Sequence, residues 1–549
     1  MQPIAHRAVR TSTTPHPPVS RREGIAITVT TVTFGLWLVL WALVVPAFQA
    51  PDETAHFDAA VHVARGDAWA DPGTLHIANA VQAALQEQAA GDAATWSTVS
   101  ELLAAHPGDS SAVDQMTQHP PTAYLADAVV LRALHFGSLR WDHALVALRL
   151  FDAALVTPLA LLAWAAVRRV TRSPRAALVG ALALFATPQL ASIGASVTND
   201  APVMLLGGVV VWLAARVLTG DLRTRTLLGL GVATAALVWL KGTGLPAVPF
   251  VGLVALDAGA PALPLARRLA RTVVVLATVA VLGSWWWLHN LVAYHHLQPD
   301  GYSSMRPPRD FPAGQHPSAS HFLDVAWGTI ARTFWGSPGG RAQVSIGDTL
   351  TAVLTIVALV VVLGWAFRRG PGLRTVVCLA VFPALLIALQ MQNSIGAYLS
   401  TTEVAATQGR YYFPAIVCLV VLSAVAWRRV PRTARGRGVL ATGIAIAAPA
   451  VGVYGLAVVS SWFWNAARAP LTADGIARYG AGGPVPFDLV AVVAVLVAVG
   501  LVASVVQVPT IGRAHAGPMS DEVGRVSTAG AAPVGPAPVD SPADDEGRA

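Results

Sequence analysis

Apolar runs of roughly twenty residues recur along the chain, separated by short clusters of arginine, and this pattern limits the possible folds more than any other feature. Such a run is long enough to cross a bilayer only as a helix, because lipid leaves no other way to satisfy the backbone polar groups. Composition agrees: of 549 residues 54% are hydrophobic and 12% are charged, too little charge to clothe a water-soluble surface of this size. The expected fold class is an all-α, polytopic integral membrane protein with two large extracytoplasmic loops. The formal charge of +7, from 37 basic and 30 acidic residues, could suggest nucleic acid. The arginines fall between apolar runs, which is how membrane orientation is written, so no nucleic-acid partner is expected. Cys378 and Cys418 both lie inside apolar runs and read as small buried hydrophobes. Lys241 is the single lysine of the chain, in a composition rich in Ala, Val, Gly and Arg that resembles a GC-rich bacterial genome.

Arg21 and Arg22 place the start of the first span, residues 27–46, on the cytoplasmic side as an uncleaved anchor. Residues 1–24 are expected to be a disordered cytoplasmic N-terminus, and residues 25–430 a membrane module with external loops at 48–143 and 293–348. Residues 431–508 supply the last helices, and 509–549 a disordered cytoplasmic tail. Residues 121–136 are apolar but short, and are interrupted by Asp127 and Arg132. Were they to cross, the next span would carry Arg168, Arg169, Arg172 and Arg175 to the outside, against the charge bias. They are read as lying in the outer interface, which gives twelve spans; a crossing there would make thirteen. No internal repeat is visible, which counts against many transporter folds.

On this topology the chemistry-bearing residues reach one face. Asp52 and Glu53 follow Pro51 at the start of a helix that also holds His56; Asn199 and Asp200 lie between the third and fourth spans; Lys241 follows the fifth. Arg332 and Trp335 belong to the second large loop, Arg410 and Tyr411 precede the tenth span, and His119 stands at the end of the first loop. Each has a plainer interpretation. Asn199 and Asp200 suit a helix cap, Lys241 could snorkel from a helix end, His56 could be a surface hydrogen-bonding group, and Trp285 to Trp287 suit an aromatic belt. Arg410 is harder to dismiss, since a cation at a helix start opposes both the dipole and the charge bias. Together they suit one kind of chemistry, in which a carboxylate takes a proton from an attacking hydroxyl while Lys and Arg hold charge developing on a phosphate.

Several motifs also carry a resemblance: Pro51-Asp52-Glu53-Thr54-Ala55-His56-Phe57, His119-Pro120-Pro121, Thr198-Asn199-Asp200, Lys241-Gly242-Thr243-Gly244, Phe334-Trp335-Gly336 and Gln408-Gly409-Arg410-Tyr411-Tyr412-Phe413-Pro414. Together, from the first span to about residue 430, they resemble a large family of bacterial integral membrane proteins. That family is similar in turn to the GT-C superfamily of glycosyltransferases, which includes protein O-mannosyltransferases and the aminoarabinose transferases of lipid A. The resemblance implies a catalytic Asp in the first external loop, here Asp52 of the Asp-Glu pair, and a second acidic site in the next loop, here Asp200. It also implies a polyprenyl-phosphate-linked sugar as donor. Phosphate binding by Lys241 and Arg410 is inferred from charge alone, and Glu53 and His56 are expected to orient Asp52 or bind the acceptor. The expected function is an inverting membrane glycosyltransferase of the bacterial plasma membrane, working among membrane lipids and passing a sugar to an extracytoplasmic glycan, lipid or protein. No cofactor is expected; the residues leave a divalent metal open without indicating one. A flippase or transporter for a lipid-linked glycan, or a silent scaffold of an envelope assembly complex, is the alternative from another class.

Overall fold

The computed structural model describes residues 18–513 apart from 261, 300, 302–306, 341–342, 371, 466–468 and 470. The expected disorder of residues 1–17 and 514–549 lies outside the described residues. Two boundaries shift. The first helix, Arg21–Val44, begins within the stretch expected to be disordered, because Ser20 caps it by accepting from Glu23 N and buried Glu23 pairs with Arg168 at 2.7 Å. The last helix, Phe487–Arg513, runs past Pro509 into the expected tail.

All twelve expected apolar segments are helical. Among the described residues, eight helices are long and apolar enough to cross a membrane. Two further segments are helix pairs bent by 77° at Thr187 and by 59° at Ser284, and two are the shorter helices Thr224–Val238 and Gly242–Asp257. This is a multi-pass membrane protein. Its main apolar core lies between the helices, while exposed rows such as Val439, Ile446 and Val453 line one face of the helix Ala434–Trp464. Val and Ile on that face suit lipid, not water.

The stretch between the first two spans folds into a cap at one end of the bundle, with its own core of Phe57, Trp96, Tyr124, Leu131 and Trp141. The cap holds the helix Glu53–Arg65, which ends where Gly66 adopts φ of 100°. It also holds the helix Thr122–Ala133, within the short apolar segment. At twelve residues that helix is about 18 Å long, less than the roughly 30 Å of a bilayer core. Tyr124, Ala128 and Leu131 face inward, and Leu125 and Val129 are exposed. One exception to the all-α expectation occurs here. His76–Ala78 and Asp109–Val113 pair as a short antiparallel ribbon, with His76 opposite Val113, Ala78 opposite Asp109 and an irregularity between.

That ribbon is tied to the cap by two buried aspartates. Asp58 Oδ1 accepts from Ala78 N at 2.9 Å, Asp114 Oδ1 accepts from Met116 N at 2.8 Å, and Asp114 Oδ2 is buried with no donor. Burial pushes both carboxyls up, Asp58 to about 6, and for Asp114 the charge of Asp58 adds to the effect. Each therefore holds its proton to a higher pH in the folded than in the unfolded chain, and stability falls as pH rises through about 6. In Asp114→Asn the amide keeps the Met116 contact and can donate to Asp58. Its melting temperature is predicted to fall less between pH 5 and pH 8 than that of the wild type, as read by thermal scanning in detergent. Equal falls would mean that the pair does not set the pH dependence.

Candidate active site

Asp52 is placed by its neighbour. Arg149, 1% exposed on the helix Trp141–Val156, donates from Nε to Glu53 Oε1 at 2.7 Å and from Nη2 to Glu53 Oε2 at 2.6 Å. Its other hydrogens reach Ala42 O, Val45 O and Pro46 O, the carbonyls left open where the first helix ends. All five guanidinium donors are used. Glu53 Oε1 also accepts from Val197 N at 3.2 Å, and Asp152 Oδ2 accepts from Thr198 N at 3.0 Å, so the loop bearing Asp52 and the loop bearing Asp200 are fastened to one helix. Glu53 is fully consumed by these bonds. Glu53, expected to orient Asp52 or bind the acceptor, has both its oxygens held by Arg149 and a side chain with no exposed surface.

With the loop held, Asp52 takes up a left-handed conformation, φ of 59°, which Asp tolerates better than most residues. It stands at the N-cap of the helix Glu53–Arg65, but its side chain makes no capping bond. Instead Oδ2 accepts from Arg410 Nη2 at 2.6 Å, and Oδ1 accepts a long bond from Gln115 Nε2 at 3.4 Å. The second loop shows the same division of labour. Thr198 Oγ1 accepts from Asp200 N, which frees Asn199 and Asp200 from capping the helix Asp200–Leu218. Lys241 donates to Asn199 Oδ1 at 2.9 Å and to Asp200 Oδ1 at 2.6 Å, while Asp200 Oδ2 lies 3.8 Å from Arg410 Nε. Lys241 is thus buried and paired and does not snorkel.

Arg410 reaches this point because backbones approach closely around Gly409. A Cβ there would lie 2.3 Å from Phe334 N and 2.5 Å from Ile330 O, and Gly409 N donates to Thr333 Oγ1 at 2.7 Å. Gly207 does the same on the other side, where a Cβ would meet Pro414 O at 2.2 Å. The motifs Phe334-Trp335-Gly336 and Gln408-Gly409-Arg410 therefore meet through their backbones. The Tyr411 ring lies 5.8 Å from Lys241 Nζ and 5.6 Å from Arg410 Cζ, within cation–π range of both.

Two imidazoles complete the group. His56 Nδ1 bonds Tyr124 OH at 2.9 Å, and Asn199 Nδ2 donates to the same hydroxyl at 3.4 Å. His119 Nδ1 is buried without a partner. Burial, with the charge of Lys241, lowers His56 to about 3 and His119 well below its usual value, so both rings are neutral at neutral pH. Asp52 is packed against these groups, yet a third of its side chain touches solvent. Burial pushes its carboxyl up, but the Arg410 guanidinium outweighs this and holds it at about 2. Asp52 is thus an anion throughout the neutral range.

Among the described residues the structure brings together Asp52, His56, His119, Asn199, Asp200, Lys241, Arg410 and Tyr411. Trp335 and Arg332 do not join them by any bond. Trp335 Nε1 donates to Thr355 Oγ1 at 2.8 Å, and Arg332 is half-buried with no partner for Nε. No group of three or more His, Cys, Asp or Glu side chains among the described residues could hold a metal ion. Arg149, Tyr124 and Gln115 escaped the sequence reading. Arg149 and Asp152 left a signal, since ionisable residues inside an apolar run are expensive and seek partners. Tyr124 and Gln115 left none.

Removing one partner of a buried ion pair strands the other charge. Arg149→Met is predicted to cost about 3–5 kcal/mol, and the pair Arg149→Met with Glu53→Gln distinctly less than the sum of the two single changes, measured by unfolding in detergent. Additive losses would show that the two side chains do not act as a unit.

Residues 34–420 match the model of a family described as predicted membrane protein, DUF2142. No curated protein matches in sequence. Among solved structures, the chain is similar to ArnT from Cupriavidus metallidurans bound to undecaprenyl phosphate, at 16% identity and a TM-score of 0.45, over 89% of this chain and 78% of that one. It is also similar to the apo oligosaccharyltransferase of Archaeoglobus fulgidus, at 12% identity and a TM-score of 0.42, over 81% of this chain and 57% of that one. The family match covers most of the range over which the motifs were expected to extend, and the chain belongs to the DUF2142 family of predicted membrane proteins.

Proposed function

We propose that this chain is a membrane glycosyltransferase that moves a sugar from a polyprenyl-phosphate donor to a hydroxyl-bearing glycan, lipid or protein of the bacterial envelope. The observation that carries the proposal is the state of Arg410. Its guanidinium is 4% exposed, and both Nε and Nη1 are buried without a hydrogen-bond partner. A buried, half-satisfied guanidinium beside a paired lysine suits a tetrahedral oxyanion. The carboxylate on the solvent side of it suits a base.

In this scheme Asp52 takes the proton from the acceptor hydroxyl, and the oxygen forms its bond to the anomeric carbon from the face opposite the phosphate. The anomeric C–O bond to phosphate breaks, and its electron pair leaves with the lipid phosphate, which Arg410 and Lys241 stabilise. The configuration at the anomeric carbon is inverted. Asp200 holds Lys241 and faces Arg410, so its role is to position both cations. Neutral His56 and His119 stand beside the charged cluster as hydrogen-bonding groups for the sugar or acceptor. Glu53 serves through Arg149, and Arg332 and Trp335 have no part in the step.

Arg168, Arg169, Arg428 and Arg429 stand in the last turns of helices that run away from the site. By the positive-inside bias that end is cytoplasmic, the cap and site are extracytoplasmic, and the chain crosses twelve times.

Purified protein in lipid nanodiscs, given radiolabelled polyprenyl-phosphate sugars and envelope acceptors, is predicted to transfer or hydrolyse the sugar. Asp52→Asn should lower turnover about 10²–10⁴-fold without weakening donor binding. Equal turnover in the mutant would remove Asp52 as base. Headgroup binding without turnover in the wild type would favour a transporter or scaffold.

A further inference from the structure

The four charges of the site are not equally accessible. The side chains of Arg410, Asp200 and Lys241 are 4%, 7% and 9% exposed, while that of Asp52 is 35% exposed. Asp52 therefore lies between solvent and the guanidinium, and its Oδ2 occupies the Arg410 Nη2 donor. The two donors left over, Nε and Nη1, are enclosed with no acceptor in bonding range. An incoming anion that is to gather several of these donors meets Asp52 first.

We propose that Asp52 and the donor's phosphate occupy Arg410 in turn: Asp52 covers the guanidinium in the empty site, and a seated phosphate displaces it. This rests on the transferase reading only for its consequence, that the base becomes reactive when the donor is in place. A carboxylate bonded to a guanidinium is a poor proton acceptor, because the cation favours its ionised form. Once phosphate neutralises the cation and adds negative charge nearby, the proton affinity of Asp52 rises. The other groups facing Asp52 are Gln115 from the cap, His56 from its own helix, Tyr411 beside Arg410, and the Asp200 and Lys241 pair behind it. Gln115 and the neutral His56 carry no charge to offset the change, and Lys241 remains paired to Asp200. Without donor, acceptor hydroxyls or water at the opening meet a masked base, which limits wasteful hydrolysis.

The competition is tested by the binding of farnesyl phosphate to the full-length protein in nanodiscs, by calorimetry at pH 7.5, with farnesol as the uncharged control. Asp52→Asn removes the competitor and is predicted to tighten farnesyl phosphate binding at least tenfold, with farnesol unchanged. Arg410→Gln is predicted to weaken farnesyl phosphate. In that background Asp52→Asn should have little further effect, because the carboxylate then has no guanidinium to cover. Unchanged or weaker binding by Asp52→Asn would overturn the proposal, and so would equal tightening with and without Arg410, which would show a general charge effect instead. Melting temperatures of all variants exclude misfolding as the cause. Tighter binding by Asp52→Asn alongside a wild type that transfers no sugar would keep the competition and remove the transferase reading.

Discussion

The bond between Arg149 and Glu53 decides the rest of the site. An arginine buried inside a membrane bundle is affordable only if its hydrogens are met, and Arg149 meets all five with two carboxylate oxygens and three helix-end carbonyls. In doing so it ties the end of the first helix, the start of the cap helix and, through Glu53, the loop before Asp200. Arg410 is the counterpart. It is as deeply buried, yet two of its nitrogens bond nothing. Both arginines sit in the same region, and the difference in hydrogen bonding separates one whose donors are all used from one that keeps donors unused.

The same separation runs through the acidic residues. Asp52 and Asn199 occupy helix N-cap positions without capping, and Thr198 makes the cap bond at the second helix in their place. Capping is worth about 1 kcal/mol, so a residue that forgoes it is held by something stronger. Here that is a charge-assisted bond: Arg410 to Asp52, and Lys241 to Asn199 and Asp200. Positions that look like ordinary helix starts in sequence thus become members of one charged cluster.

Much of this was legible because membrane helices are written plainly. The apolar runs located the eight helices long and apolar enough to cross a membrane, and the chain order of those runs suggested that Asp52, Asp200, Lys241 and Arg410 would meet, as they do. The pairings were not legible. Glu53 stood beside Asp52 and looked like its partner in chemistry, but successive residues on a helix point in different directions, and Glu53 turns inward to Arg149. Arg332 and Trp335 were chosen for their loop, yet what joins that loop to the site is the backbone contact at Gly409 and the hydroxyl of Thr333. The cap's ribbon was missed for another reason. Three residues paired with five give too short an alternation to stand out against the helices around them.

The central claim is that Arg410 and Lys241 form one anion site guarded by Asp52. An experimental structure of the protein with a bound polyprenyl phosphate tests it most directly. The account predicts phosphate oxygens within hydrogen-bond distance of Arg410 Nε or Nη1 and of Lys241 Nζ, with Asp52 turned away from the guanidinium. A phosphate seated elsewhere, with the Asp52 to Arg410 bond intact, would contradict it.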